Sequence, residues 1–321
     1  MANTFIGRNK IKDRGGDHKS NEFKIKSPTS GSDSKSSQQT AKLLGIGKCK
    51  VEDAYTVLDD KQARKAVEEG KSVHAAAKES RERKKETRVI IFNETNDNIE
   101  WAKWTWNPVT GCEHGCPYCY ARDIANRFYP HGFEPHFYPE RLVAPQNTKI
   151  PNGRKDEPGI NNVFLVSMGD LLGKWVPENW IFEILESVEK SPEWNFLILT
   201  KNPQRYLEFT WPDNCWLGAT ADNQQRMNIA LEVFSMLDHP IKFLSCEPLM
   251  EKITLFTSTK NIVKIPIHWI IIGGRSKSTG MNEGQPKWEW VESLLDEARS
   301  LDIKVYFKPN LTIRPKEYPN A

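Results

Sequence analysis

Residues 195–200 read N-F-L-I-L-T and residues 215–220 read C-W-L-G-A-T, and these two almost wholly apolar runs decide the fold. Four more short apolar runs lie at residues 163–168, 241–246, 269–274 and 304–308. Amphipathic helical patterns such as N-W-I-F-E-I-L-E-S-V-E-K separate them. Near-continuous apolar strands that alternate with helices form parallel sheets covered by helices. The sequence therefore predicts an α/β fold, a partial or complete (β/α) barrel of parallel strands.

Five of these runs end in polar or glycine residues. Their ends read S-M-G-D, T-K-N, A-T-A-D-N, S-C-E-P and G-G-R-S. Ligands of parallel α/β folds bind at the carboxyl ends of the strands, so these residues are candidates for one shared site. Ordinary turn chemistry accounts equally well for any one of them taken alone.

A cysteine-rich loop precedes the strand series, in the run W-N-P-V-T-G-C-E-H-G-C-P-Y-C-Y-A (residues 106–121). Cys112, Cys116 and Cys119 supply three thiols within eight residues. Closed zinc sites and ordinary iron–sulfur clusters take four protein ligands, so three cysteines favour a cluster with one open iron. The alternative is a zinc site that His131 or His136 completes.

The Cys-x-x-x-Cys-x-x-Cys spacing, with Tyr118 directly before the third cysteine and a predicted strand before the loop, resembles the radical S-adenosylmethionine enzymes. The flanking W-N-P-V-T-G-C and the later L-T-K-N-P-Q-R are similar to a phage-associated branch of that superfamily, distantly similar to spore photoproduct lyase. The resemblance implies a [4Fe-4S] cluster, S-adenosyl-L-methionine, and a 5′-deoxyadenosyl radical that removes a hydrogen atom from the substrate. It also implies flavodoxin or ferredoxin as the electron donor.

The resemblance assigns roles to nine residues. Cys112, Cys116 and Cys119 would hold the cluster, Tyr118 would line the adenine pocket, Gly169 and Asp170 would meet the methionine amino group, and Lys201, Thr220 and Glu247 would complete the cofactor site at later strand ends. Spore photoproduct lyases carry a hydrogen-donating cysteine near the second strand end, where this chain has Met168. Cys246 is either a substitute donor or a small core residue.

The front of the chain differs in composition from the rest. Residues 1–88 carry 21 Lys and Arg against 13 Asp and Glu, whereas residues 89–321 carry 24 against 29, and all 11 tryptophans lie between Trp101 and Trp290. Residues 1–39 are too polar to bury a core and predict a disordered basic tail. We therefore predict three regions: this tail, a helical domain at residues 40–88, and the barrel domain at residues 89–321.

The helical domain resembles the helix-turn-helix region of ParB-like proteins, in the segments T-A-K-L-L-G-I and V-E-E-G-K-S-V-H-A-A-A-K. Its second helix, Lys48 to Leu58, would enter the DNA major groove. Helices at Lys61 to Glu69 and after a Ser72 cap follow. A helical bundle that docks another protein remains the alternative.

No apolar run approaches the roughly 20 residues that span a membrane, and no signal peptide is evident. Three clustered cysteines among six indicate a metal site in a reducing compartment, so we expect a cytoplasmic protein without a membrane partner. The leading hypothesis is a radical S-adenosylmethionine enzyme that acts on a nucleic acid or nucleotide, with DNA or RNA bound by the helical domain. The alternative is a DNA-binding partition or regulatory protein with a redox-sensing or zinc-stabilised body.

Overall fold

The computed structural model describes residues 37–86, 89–95, 99, 101–256 and 267–313. The chain divides into two compact units, Met1–Val89 and Ile90–Ala321. The predicted basic tail lies outside the described residues except for its last three positions. Those three belong to a helix that begins at Ser37, so the helical unit begins earlier than the sequence predicts.

The described part of the first unit consists of four helices. They span Ser37–Leu44 (α1), Lys48–Leu58 (α2), Lys61–Glu68 (α3) and Val73–Glu86 (α4). The backbone N–H of Ala75 donates to Ser72 Oγ at 3.2 Å, which confirms the predicted cap of α4. Buried valine and alanine side chains, including Val57 and Ala77, form a small core between the helices.

Asp60 joins α3 to α4. Its carboxylate accepts hydrogen bonds from the backbone N–H groups of Gln62 and Ala63 at the start of α3. It also accepts from Ser80 Oγ at 2.5 Å and pairs with Arg83 Nη2 at 2.9 Å, both on α4. The Ser80 hydrogen bond, with those from Ala63 and Arg83, holds the pKa of Asp60 well below its ordinary value despite burial.

We expect Asp60→Ala to destabilise the first unit by about 2 kcal/mol, because α3 loses its cap and its link to α4. Hydrogen exchange of the α3 and α4 amides in the full chain measures this loss. Glu68→Ala changes an exposed side chain of the same helix and should stay within about 0.5 kcal/mol. Because the pKa of Asp60 in the folded protein lies below that of free aspartate, its full contribution to stability is present at neutral pH. This contribution is lost as the pH falls below about 4. Equal protection of the α3 and α4 amides from hydrogen exchange in Asp60→Ala and Glu68→Ala would contradict the prediction.

The second unit is built on a sheet that contains eight of its described strands. The strands are Asn93–Glu94 (β1), Trp104–Trp106 (β2), Asn162–Leu165 (β5), Asn195–Thr200 (β6), Cys215–Thr220 (β7), Lys242–Cys246 (β8), Trp269–Ile272 (β9) and Lys304–Phe307 (β10); a separate antiparallel pair is formed by Val109–Thr110 (β3) and His136–Phe137 (β4). The order in the large sheet is β1-β2-β5-β6-β7-β8-β9-β10. Every neighbouring pair from β2 onward is parallel, and β1 is antiparallel to β2. The predicted α/β class with a parallel sheet is confirmed.

All six predicted apolar runs are strands, and the predicted strand before the cysteine loop is β2. The bounds of β6 and β7 agree with the prediction. Strand β5 ends at Leu165, three residues before its predicted end, because Val166 takes a positive φ of 61° and turns the chain out of the sheet. Residues 167–170 therefore form a loop at the carboxyl edge.

Helices follow most strands of the sheet. In the described residues they span Tyr120–Phe128 (α5), Ala144–Asn147 (α6), Glu178–Glu189 (α7), Gln224–Met236 (α8) and Trp288–Ser300 (α9), with 3-10 turns at Pro139–Val143 and Pro203–Glu208. None of the described helices is long and apolar enough to cross a membrane.

The two faces of the sheet bury different side chains, because successive strand residues point to opposite sides. Val163 and Leu165 of β5 pack in the main core with helix residues such as Ile184 and Leu231. Phe164, which lies between them in the chain, belongs to a second cluster. That cluster is rich in aromatic residues: Trp101, Ala102, Phe164, Leu197, Phe243 and Ile271, with Trp216, Trp269 and Tyr306 packed against it.

Candidate functional site

The cysteine loop connects β3 to α5 through Gly111. This glycine has a φ of 88°, and a Cβ there would lie 2.2 Å from the carbonyl oxygen of Glu134, so no side chain fits. The N–H of Gly111 donates to Met168 O at 2.9 Å, and Gly111 bridges to Gly169. A Cβ on Gly169 would in turn lie 2.7 Å from Gly111 O. Two glycines thus bring the start of the loop against the end of β5.

The second attachment of the loop is a contact between His114 and Asp170. His114 Nε2 lies 2.7 Å from Asp170 Oδ2, and the buried carboxylate also accepts hydrogen bonds from the backbone N–H groups of Lys201 (2.9 Å) and Leu172 (3.0 Å). Burial raises the pKa of Asp170, but His114 and these donors outweigh it and lower the pKa overall. Both oxygens of the Asp170 carboxylate therefore have partners within the chain, and His114 is one of these partners.

The third attachment runs through Tyr118. Its hydroxyl donates a short hydrogen bond to Asp222 Oδ2, and Asp222 pairs with Arg226 Nη1 at 2.5 Å. Lys201 Nζ lies 5.5 Å from the centre of the Tyr118 ring and 3.4 Å from Thr220 Oγ1. Burial, with the Asp222 hydrogen bond, raises the pKa of Tyr118, so the hydroxyl stays a donor. The structure thus brings Tyr118, Lys201 and Thr220 together as the sequence predicts.

A buried ion pair lies at the ends of β8 and β10. Lys308 Nζ contacts Glu247 Oε1, and both side chains are largely buried. Burial raises the pKa of Glu247, and the nearby charge of Lys308 only partly offsets this effect. The absence of a Cβ at Gly273 makes room for the pair, since a Cβ there would lie 3.0 Å from Glu247 Cγ and 3.2 Å from Lys308 Cδ.

These elements surround a cavity of about 580 Å³ at the carboxyl edge of the sheet. All nine predicted site residues line it: Cys112, Cys116, Cys119, Tyr118, Gly169, Asp170, Lys201, Thr220 and Glu247. Cys246 is fully buried and is not among the lining residues, whereas Met168 is. The volume lies within the range of small-molecule pockets, about 300–1,000 Å³.

Three further residues contact this site: Asp222, Arg226 and Lys308. The sequence indicates Asp222 only as part of the A-T-A-D-N strand end, and Lys308 ends the sixth apolar run, which is not among the five candidate strand ends. That run ends in a charged residue like its neighbours, so the strand-end rule was sufficient to find Lys308. Arg226 lies on α8 and carried no such signal.

The three cysteines are half-buried on the cavity wall. Burial raises the pKa of the Cys112 thiol to about 12, and the nearby Asp170, Cys116 and Cys119 contribute to the rise. Cys119 is the N-cap residue of α5, and its side chain makes no capping hydrogen bond. No group of three or more His, Cys, Asp or Glu in the described ranges is arranged to hold a metal ion directly.

The thiols of Cys112, Cys116 and Cys119 open on one cavity, and they are the groups that would hold a sulfur-rich cluster there. The two histidines considered for a zinc site stack on each other, with ring centres 4.3 Å apart, and His114 is bound to Asp170.

We expect Gly111→Ala to destabilise the second unit by about 2 kcal/mol more than Gly115→Ala. Both glycines have positive φ, so an alanine at either position is destabilised by about 1–2 kcal/mol in the left-handed backbone conformation. A Cβ at Gly115, however, meets no atom within 4 Å, whereas one at Gly111 clashes with Glu134. Denaturant unfolding followed by tryptophan fluorescence measures the difference. The displaced loop should also speed maleimide labelling of the cysteines in Gly111→Ala alone. Equal effects of the two substitutions would show that the contact with Glu134 is unimportant.

The fold and the site together define an α/β protein with a three-cysteine loop and a cavity at the carboxyl edge of its parallel sheet. The chain belongs to the DUF5131 family, which is described as a protein family of unknown function, and the family model matches residues 96–316. No curated protein and no solved structure matches the chain. All nine predicted site residues lie within the matched range.

Proposed function

We propose that this protein is a radical S-adenosylmethionine enzyme that acts on a nucleic acid or nucleotide. One observation carries the proposal: three cysteines at the spacing of that superfamily and six other residues assigned from the same resemblance line a single cavity. The residues come from five separate segments, so their shared location is not a consequence of sequence proximity. We also propose that the parallel sheet curves into a partial barrel around the aromatic cluster on its inner face.

The proposed cofactors are a [4Fe-4S] cluster on Cys112, Cys116 and Cys119 and S-adenosyl-L-methionine. When bound, they supply the one-electron cleavage that yields a hydrogen-abstracting 5′-deoxyadenosyl radical, with flavodoxin or ferredoxin as the reductant. The chain contributes orientation and the exclusion of water.

The contacts of the loop support distinct roles for its neighbours. Asp170 holds the loop through His114, so we assign it to positioning the cysteines rather than to direct contact with the methionine amino group. Tyr118 is held by Asp222 and presents its ring beside Lys201, which suits a flat wall for an adenine. Lys201, Thr220 and Glu247 offer charged and hydroxyl groups at three further strand ends.

The proposed nucleic-acid contact involves α2 of the first unit. Lys48 and Lys50 are exposed on this helix, while Val51, Ala54 and Val57 face the core. Arg81 and Arg83 of α4 are bound to Asp53 and Asp60. These two arginines of α4 therefore contribute to folding. Lys48, which pairs with Glu52 at 3.3 Å on the surface, and Lys50 are the candidates for phosphate contacts.

Anaerobic reconstitution with iron and sulfide tests the chemistry. A broad visible absorbance and dithionite-dependent 5′-deoxyadenosine from S-adenosylmethionine are the expected results. A fully loaded cluster that yields no deoxyadenosine would exclude the enzyme and favour the partition or regulatory protein with a redox-sensing body. Zinc as the bound metal would favour the zinc-stabilised body.

Mobility shift of the full chain on random duplex at two salt concentrations tests the nucleic-acid contact. We expect Lys48→Ala/Lys50→Ala to weaken binding and to reduce the salt slope by about 1 per lost contact. Lys65→Ala, an exposed residue of α3, is the control. No binding at low salt would leave protein docking as the role of the first unit.

A further inference from the structure

The charged side chains that line the cavity form a paired and an unpaired set. The paired set consists of Glu94 with Arg154, Asp170 with His114, and Glu247 with Lys308. The unpaired set consists of Lys201, Arg275 and Lys277, which form no ion pair with any residue that the structure describes. Every carboxylate on the cavity wall thus has a basic partner, and the charge left over is wholly positive.

Lys201 already has a place in the proposed cofactor site. Its Nζ lies beside Thr220 Oγ1 and the Tyr118 ring, and its charge offsets part of the rise that burial causes in the pKa of Glu247. Arg275 and Lys277 have no assigned role. They lie two positions apart on the loop between β9 and α9, and they are the unassigned positive charges of the cavity wall.

The loop that carries these two residues is held at its base. Arg275 and Gly284 exchange backbone hydrogen bonds of 2.7 and 3.0 Å, and Arg275 Nε donates to Asn282 O at 2.8 Å. Nη1 of Arg275 lies 3.8 Å from the sulfur of Met250. A guanidinium held in this way has donors left for a ligand and has lost much of its rotamer freedom before binding.

The tip of the same loop lies on the cysteine loop. Ser278 Oγ donates to Pro117 O at 2.9 Å, and the N–H of Thr279 donates to Asp123 Oδ2 at 2.7 Å. A Cβ on Gly280 would lie 2.4 Å from Pro117 O, so the two backbones touch. Arg275 and Lys277 are therefore held beside the cysteines, at the mouth of the same cavity.

We propose that Arg275 and Lys277 bind a phosphate group of the substrate. The guanidinium offers paired donors to phosphate oxygens, and the exposed ammonium adds a point charge beside it. This inference rests on the proposed function for placing the substrate in the cavity, and it narrows the substrate to a phosphorylated nucleoside or a nucleotide within a chain. The phosphate lies on the β9 side of the mouth, where the loop after β9 contacts the cysteine loop at Pro117.

Ligand-observed NMR titrations of the full chain with thymidine 5′-monophosphate, thymidine and inorganic phosphate test the site. Pyrimidine probes avoid competition for an adenine pocket. We expect the monophosphate to bind about tenfold more tightly than the nucleoside, and inorganic phosphate to compete with it. Equal binding of thymidine and its monophosphate would overturn the inference.

Substitutions test whether Arg275 and Lys277 are the residues that cause tighter binding of the monophosphate. Arg275→Ala/Lys277→Ala should remove the tenfold difference, and Lys277→Glu, a change at an exposed position, should reduce it without disturbing the Arg275 contacts. Lys287→Ala, an exposed lysine at the start of α9, is the control and should keep the difference. If both test variants still bind the monophosphate more tightly than thymidine, Arg275 and Lys277 do not bind the phosphate. Their charges then balance that of the cysteine loop instead.

The titration needs no S-adenosylmethionine and measures no turnover. A protein that prefers the monophosphate but never forms deoxyadenosine would refute the proposed chemistry and leave the phosphate site standing. A protein that forms deoxyadenosine without the preference would refute the phosphate site alone.

Discussion

Replacing Cys112, Cys116 or Cys119 by alanine is expected to reduce bound iron and sulfide at least tenfold, from about four of each per chain in the reconstituted protein. The reason is that the three thiols share one cavity wall and each would supply one protein ligand of the proposed cluster. The broad visible absorbance and deoxyadenosine formation should disappear together.

Cys49→Ala is the matched control for these variants. Cys49 is exposed on α2 in the first unit, so its loss should leave the iron content unchanged. Iron and zinc are measured in protein purified with and without air. Full iron content in any one of the three loop variants would contradict the assignment, and one zinc per chain in place of iron would replace the cluster with a zinc site.

Removing Lys308 is expected to destabilise the second unit by about 3–5 kcal/mol at neutral pH, because Lys308→Met leaves the Glu247 carboxylate buried without its partner. The double variant Glu247→Gln/Lys308→Met should recover most of this loss, since neither group is then charged. Lys304→Met removes only an exposed lysine paired with Asp302 and should change stability by less than about 1 kcal/mol.

The pH dependence of Lys308→Met separates loss of charge from loss of packing. Burial already raises the pKa of Glu247, and without Lys308 it rises further. The folded state then holds a proton that the unfolded state releases near pH 4.3, so stability falls as the pH rises above about 4.3. All 11 tryptophans lie in the second unit, so their fluorescence follows its unfolding. If the stability loss of Lys308→Met does not depend on pH, or if Glu247→Gln/Lys308→Met loses as much stability, the effect comes from lost packing and not from the buried charge.

The elements of the second unit could be predicted because their signal is local. Residues 195–200 and 215–220 are apolar over a strand length, so the observed β6 and β7 have the predicted bounds. Residues 179–190 are amphipathic with helical period and coincide with α7 to within one residue at each end. Strand β1 escaped prediction because two residues carry no period. The early end of β5 depends on the positive φ of Val166, which the apolar pattern does not indicate.

For the candidate site too, the sequence identifies the residues but not the partners that they contact. The cysteine spacing and the polar strand ends identify the residues, since both features are read over a few positions of the chain. Their partners are far apart in sequence: His114 and Asp170 are separated by 56 positions, Glu247 and Lys308 by 61, and Tyr118 and Asp222 by 104.

By itself, the sequence determined which segments are strands and which residues carry reactive groups, because apolar period and side-chain chemistry are local properties. Only the tertiary structure decided that Asp170 is bound to His114, that Glu247 pairs with Lys308, and that Arg275 and Lys277 have no ion pair among the described residues. These outcomes depend on the register of parallel strands and on the close backbone contact of Gly111 and Gly169, which bring distant side chains within hydrogen-bond distance.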